Sequence, residues 1–150
     1  TSAFFSPFDP HNFAAWVVRE LAAGHEVTAA DDIVVSPTYT PELADAVLNL
    51  MLDREEGVWH LANTGAVSWF AFARMVAAAT DLDASLVTAS RSVDMGWAAR
   101  RPRYSALASA RGRLMSSLDD AVHRFAHRLR EFGFMTEFSS EQSEARMPSE

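Results

Sequence analysis

Two prolines four residues apart, Pro37 and Pro41, constrain this chain more than any other feature. Pro37 follows Ile33, Val34 and Val35, a β-branched run suited to a buried strand. It has no N–H, so ladder pairing stops there and Ser36 is held extended. Pro41 fits the first turn of a helix that Thr40 is placed to cap and whose positive end Glu42 and Asp45 favour. An acidic turn at Asp31 and Asp32, a short strand, two hydroxyl residues (Ser36 and Thr38) and then a helix give one of two things. The first is a rim that presents hydroxyls and a helix N-terminus to an anion. The second is a plain strand-loop-helix connection.

Around this stretch the chain reads as alternating strands and helices, which indicates an α/β or α+β unit. Residues 1–5 are β-compatible. Phe13, Trp16, Val17 and Leu21 recur at helical spacing and read as a core-facing stripe, with Gly24 as a stop. Strands are predicted at 25–30, 58–62 and 85–89. The helix after Pro41 is predicted to bury Leu43, Val47, Leu50 and Met51. Ser68 is placed to cap a helix carrying Trp69, Phe72, Ala73 and Val76 on one face. Ser117 and Asp120 form a capping-box pattern ahead of Leu118, Val122, Phe125, Leu129 and Phe132. Gly133 ends that helix, and the polar tail from Ser139 reads as disordered.

Composition removes several function classes. A hydrophobic fraction of 49% is too high for a disordered chain. A net charge of −7 disfavours a nucleic-acid or anionic-membrane surface. No apolar run approaches the roughly 18 residues of a membrane span. The absence of cysteine rules out a disulfide framework and thiolate chemistry and is compatible with a cytoplasmic location. Against that acidic background, residues 90–113 hold six of the 13 basic residues, all arginine. Arg101 and Arg103 flank Pro102, with Tyr104 and Ser105 next; planar guanidinium groups at this density suit a diphosphate. The opposing reading is a set of surface ion pairs. His123 and His127 stand four apart, but Arg124 occupies the place where a zincin carries glutamate, so both read as outer-face residues.

Four stretches, in order, carry a family resemblance: residues 1–5 with Asn12-Phe13; Asp-Asp-x-x-x-Ser-Pro-Thr before an acidic, Ala-rich helix; Gly57-Val58-Trp59-His60-Leu61-Ala62-Asn63 with Ser68-Trp69; and Arg101-Pro102-Arg103-Tyr104-Ser105-Ala106-Leu107. Over roughly residues 1–130 the chain resembles the substrate-side half of dTDP-4-dehydrorhamnose reductases, extended short-chain dehydrogenase/reductases acting on nucleotide sugars. The resemblance implies a mixed α/β fold, the small substrate-binding domain of an NAD(P)-binding Rossmann-type reductase whose nucleotide-binding half is missing. Residues 1–132 would form the sugar-nucleotide portion and 133–150 a largely disordered tail.

The resemblance further implies a dTDP-sugar-like ligand held by Ser36, Thr38, Arg101, Arg103, Tyr104 and Ser105, and NADP or NAD as the cofactor of the whole enzyme. Its partner would be the missing half or a second copy covering Phe4, Phe5, Phe8 and Trp16. The chain departs from the family in its chemistry. It has no Gly-rich turn and no lysine, and Tyr39 and Tyr104 have Leu43 and Ala108 four positions on, so Tyr-x-x-x-Lys is absent. Catalytic residues and cofactor binding are therefore not expected in this chain alone. Ala3 and Phe5 stand where the family shows Trp and Tyr, and Ile33 and Val35 where it shows Gln and Gly. Two functions follow: the substrate-binding portion of an NAD(P)H-dependent nucleotide-sugar reductase, or a sugar-nucleotide-binding or assembly module without reductase chemistry.

Overall fold

The structure, a computed structural model, describes residues 1–132, so the Gly133 stop and the expected tail lie outside the described residues. Six short strands pair two by two between four helices. The elements are β1 (Phe4–Phe5), α1 (Phe13–Ala22), β2 (Val27–Ala30), β3 (Val34–Val35), β4 (Thr38–Tyr39), α2 (Thr40–Leu52), β5 (Val67–Ser68), α3 (Trp69–Ala79), β6 (Val87–Ser90) and α4 (Leu118–Glu131). β1 runs parallel to β4 with Phe4 opposite Thr38, β2 runs parallel to β6 with Val27 opposite Val87, and β3 is antiparallel to β5. This is the mixed α/β class expected from the sequence.

The core is aromatic and centres on Phe5. Its ring lies 5.2 Å from Phe72 and 5.7 Å from Phe125 edge-on, and 5.4 Å from Tyr39. Such contacts add to the area the rings bury. β1 supplies Phe5, β4 supplies Tyr39, and α3 and α4 supply Phe72 and Phe125, so four elements distant in sequence meet on one ring. Phe5 is fully buried inside the chain and needs no partner to cover it, contrary to the expectation from an opening strand. Its neighbours Phe4 and Phe8 remain exposed, and Phe8 meets Phe132 at 5.4 Å.

Helix ends follow side-chain chemistry. Asn12, Ser68 and Ser117 accept the N–H groups of Ala15, Ala71 and Asp120, which caps α1, α3 and α4. α2 differs from expectation at its start and along its face. Tyr39 holds the cap position without a side-chain bond, because the Thr40 hydroxyl donates to the Phe5 carbonyl at 3.1 Å and ties the helix start to β1 instead. Ala46 alone is buried on α2. Val47 and Met51 are exposed, and Leu43 and Leu50 lie half-buried beside Leu61 and Met115.

Residues 58–62 form no ladder. Val58 is exposed and Trp59 is instead covered by the Arg111 guanidinium, 4.0 Å from its ring centroid; the strand in this region is β5, further along. The last predicted strand begins later than expected, because the Asp83 carboxylate accepts the Ser85 N–H and winds Ala84–Leu86 into a 3₁₀ turn first. The α4 stripe is buried as far as Leu129, while Phe132 lies beyond the helix end and is exposed. His123 and His127 sit on the exposed outer face of α4.

Phe5→Ala is expected to lower unfolding free energy by about 3–5 kcal/mol, the range for truncating a fully buried aromatic. Phe4→Ala, next to it but 54% exposed, is expected to stay within about 0.5 kcal/mol. Urea denaturation compares them, and equal losses would contradict this placement of the core.

Candidate functional site

Pro37 withholds a backbone donor at the point where three segments converge, and the hydroxyls on either side take over its role. Ser36 is buried; its Oγ accepts the Leu107 N–H at 2.9 Å and donates to the Leu107 carbonyl at 3.4 Å. Thr38 is fully buried; its Oγ1 donates to the Ser2 carbonyl at 2.7 Å while its N–H donates to the Ala3 carbonyl at 3.0 Å. Ala3 is held with φ of 49°, a left-handed conformation that side chains disfavour and that these two bonds secure. The chain's first residues and its late arginine loop are thereby fixed to one dipeptide step.

The arginine loop continues from that clamp and meets β3 in one isolated parallel bridge, Val34 to Tyr104. The Val34 N–H donates to the Arg103 carbonyl at 2.8 Å and the Ser105 N–H to the Val34 carbonyl at 2.9 Å. Arg101 and Ser105 line a groove of about 600 Å³, whereas Tyr104, 69% exposed, faces a smaller cavity of about 290 Å³ on the other side with Asn63 and Arg113. Arg103 joins Arg91, Arg100 and Arg101 around a third hollow of about 570 Å³ that adjoins the groove through Trp97 and Arg101.

The groove is walled by Phe13, Trp16, Trp69 and Trp97, with Ser2 and Ala3 at one end. Phe13 packs on Trp69 at 4.7 Å and on Trp16 at 5.7 Å, so the helix stripe read as core is partly the wall of an open groove. One wall is set by Asp32. Its carboxylate accepts the Ser92 N–H at 2.8 Å and hydroxyl at 2.9 Å, anchoring a 3₁₀ turn, Ser92–Met95, ahead of Gly96 and Trp97. The Ser92 N–H, reinforced by the Ser92 hydroxyl and Arg91, holds the Asp32 carboxyl below its ordinary pKa. Arg91 is thus neutralised at 3.5 Å, while Arg100, Arg101 and Arg103 have no acidic partner among the described residues.

A second polar network braces the other end of the fold. The Glu42 carboxylate accepts the Ser116 N–H at 2.7 Å, the Asn63 amide at 2.7 Å and Arg124 at 2.7 Å, and Asn63 in turn accepts the Tyr39 N–H at 2.7 Å. Burial alone would raise the Glu42 pKa; the Ser116 N–H, the Asn63 amide and the Arg124 guanidinium outweigh it and leave the carboxyl below its ordinary value.

Of the six residues singled out in the sequence, the structure brings Arg101 and Ser105 to one groove and Arg103 to the hollow beside it. Tyr104 lies on the opposite face of the same segment. Ser36 and Thr38 sit beneath the site with both hydroxyls engaged by backbone. The sequence places Asp32 in a turn and Asn63 in a motif without a role for either, and the one signal for Trp97 is an isolated indole inside the arginine-rich stretch, directly after a glycine.

Fold and groove together define a mixed α/β domain with an open aromatic groove, lined by Arg101, beside a hollow that holds Arg100 and Arg103. Comparison with known proteins gives it a family. The model described as RmlD substrate binding domain matches residues 1–131, and the chain belongs to that family. The dTDP-4-dehydrorhamnose reductase of Mycobacterium tuberculosis (strain ATCC 25618 / H37Rv) is 43% identical over 95 residues, which is 62% of this chain and 31% of that protein. The spore coat polysaccharide biosynthesis protein SpsK of Bacillus subtilis is 30% identical over 96 residues, 64% of this chain and 33% of that protein. A crystal structure of dTDP-4-dehydrorhamnose reductase from Bacillus anthracis, in complex with NADP, matches with a TM-score of 0.76 at 28% identity, covering 83% of this chain and 45% of that one. The chain therefore spans about a third of the curated relatives and under half of the solved structure. No described helix is long and apolar enough to cross a membrane.

The Glu42 network predicts an acid limit. A carboxyl whose pKa is lowered by folding contributes stability above its ordinary value, here 4.5, and that contribution is lost as pH falls through the lowered folded value. Glu42→Gln should cost about 1–3 kcal/mol at neutral pH and flatten the decline in stability below pH 4.5. Parallel pH profiles for the two proteins, from thermal melts, would contradict this role.

Proposed function

We propose that the chain is the sugar-nucleotide-binding portion of a reductase acting on dTDP-4-dehydrorhamnose or a close relative. The observation that carries this reading is the pairing of an aromatic groove with three arginines that lack acidic partners among the described residues. Guanidinium groups crowded into four residues repel one another unless an anion joins them, and a diphosphate offers each a bidentate partner. Arg101 and Arg103 contact the diphosphate, and the Ser105 hydroxyl, which donates to the Val34 carbonyl at 3.4 Å, turns from it to donate to phosphate or sugar at the groove. Tyr104 faces the smaller cavity on the other side of the segment and stands apart from this ligand. Ser36 and Thr38 act beneath it as positioning residues: they fix where the arginines stand relative to the aromatic wall. The similarity to dTDP-4-dehydrorhamnose reductases supports the identity of the ligand.

Reduction calls for a nicotinamide cofactor, which supplies hydride when bound, and the residues present do not fit one. A dinucleotide pyrophosphate needs an open helix N-terminus behind a Gly-rich turn. Here Asn12, Ser68 and Ser117 cap α1, α3 and α4, and α2 opens on Pro41 with the Glu42 carboxylate in its first turn. Cofactor binding and proton transfer accordingly belong to a partner portion, upstream or on another chain, and this chain supplies substrate recognition.

Calorimetric titration of the chain with dTDP tests the reading. Arg101→Ala and Arg103→Ala are each expected to weaken binding by about tenfold or more, since hydrogen bonds to charged groups contribute about 1.5–3 kcal/mol. Added NADPH with a dTDP-4-keto sugar is expected to give no oxidation above background. Unchanged dTDP affinity in both arginine variants would contradict the assignment.

A further inference from the structure

We propose that Trp97 is the stacking platform for the nucleobase of the bound nucleoside diphosphate; this rests on the sugar-nucleotide reading of the site. Trp97 lines both the aromatic groove and the arginine hollow, and among the described residues no other aromatic does so. It is also the tryptophan the fold does not use. Trp16 and Trp69 pack against the main core and Trp59 against the small cluster around Ala46, whereas Trp97 joins none of the core clusters and is 39% exposed. An exposed indole forgoes the burial that ordinarily places tryptophan inside, so packing does not account for its position.

Its position is nonetheless fixed. Asp32 anchors the 3₁₀ turn before it through two bonds to Ser92. Gly96 then turns the chain with φ of 66°, a conformation a side chain would resist. The Arg101 guanidinium lies over the indole, 5.9 Å from its centroid, an attraction between cation and ring face. A ring clamped on one face by an arginine offers its opposite face to a second flat group.

The groove's other aromatics are poorer candidates for that group. Phe13 meets Trp69 edge-on at 4.7 Å and Trp16 tilted at 5.7 Å, and the three form a wall of edges and tilted rings. They suit the apolar face of a sugar. Among the parts of a sugar nucleotide only the base has a π-face, and Trp97 with Arg101 lines both the groove and the arginine hollow. A base on the hollow side of Trp97 places its own diphosphate at Arg101, where hollow and groove meet, and leaves the groove for the sugar.

Titration calorimetry on the 150-residue chain with dTDP, with inorganic pyrophosphate and with NADP separates the possibilities. Trp97→Ala is expected to weaken dTDP binding by about tenfold or more, the effect of losing one base–aromatic stack, and to leave pyrophosphate binding unchanged. Trp97→Phe should retain most of the affinity. Trp97→Leu, which keeps bulk without a π-face, should behave as Trp97→Ala does and decides the question if the alanine variant fails to fold. Unchanged dTDP affinity in Trp97→Leu, an equal loss for pyrophosphate, or a loss confined to NADP would each overturn the proposal. A wild-type chain that binds neither dTDP nor pyrophosphate would overturn the underlying reading of the site instead.

Discussion

A proline that removes a donor from the centre of the fold sets the constraint on which the rest depends. At Pro37 the backbone cannot continue a ladder, yet three segments must be joined there: the opening strand, the helix-leading strand β4 and the late arginine loop. The buried hydroxyls of Ser36 and Thr38 join them, one to Leu107 and the other to Ser2. A hydroxyl both donates and accepts, so Ser36 holds the N–H and the carbonyl of the same residue. Unpaired, each buried group would cost about 1–3 kcal/mol. The site's shape is thus tied to the stability of the fold.

Everything recognised in the groove follows from that junction. With Leu107 fixed, the preceding residues can lie along β3, which commits Arg101 and Ser105 to one side and Tyr104 to the other. Ser2 and Ala3, fixed by Thr38, line the same groove. Asp32, four residues before Ser36, sets the remaining wall through Ser92. One short stretch of sequence therefore positions three sides of the site while contributing no exposed side chain of its own from Ser36 to Tyr39.

The sequence made this partly visible. The helices α1, α3 and α4 were legible because local signals suffice for them: a capping side chain and an apolar stripe at helical spacing. The importance of the Ser36-Pro37-Thr38 step was legible too, but not its role, because Ser36 and Leu107 lie 71 residues apart and no spacing rule connects them. The α2 stripe misled for a physical reason. Periodicity shows that Val47 and Met51 share a face with Leu43 and Leu50 but not what covers it, and the described residues leave Val47 and Met51 exposed. Residues 58–62 misled similarly: β-compatible residues form a strand only where a neighbour offers an edge. Phe5 shows the converse, since a residue that looked like an orphaned edge is the hub of the core once Phe72 and Phe125 arrive from later helices.

Native-state hydrogen exchange of the Leu107, Ser105 and Val34 amides tests most directly whether the hydroxyl clamp governs the site. The account predicts that all three exchange slowly in the wild-type chain, as core amides do. In Ser36→Ala, Leu107 and Ser105 should lose protection by tenfold or more while Val18, in the buried face of α1, keeps its own. Exchange of Leu107 and Ser105 in the wild type as fast as in an open loop, or unchanged protection in Ser36→Ala, would contradict it.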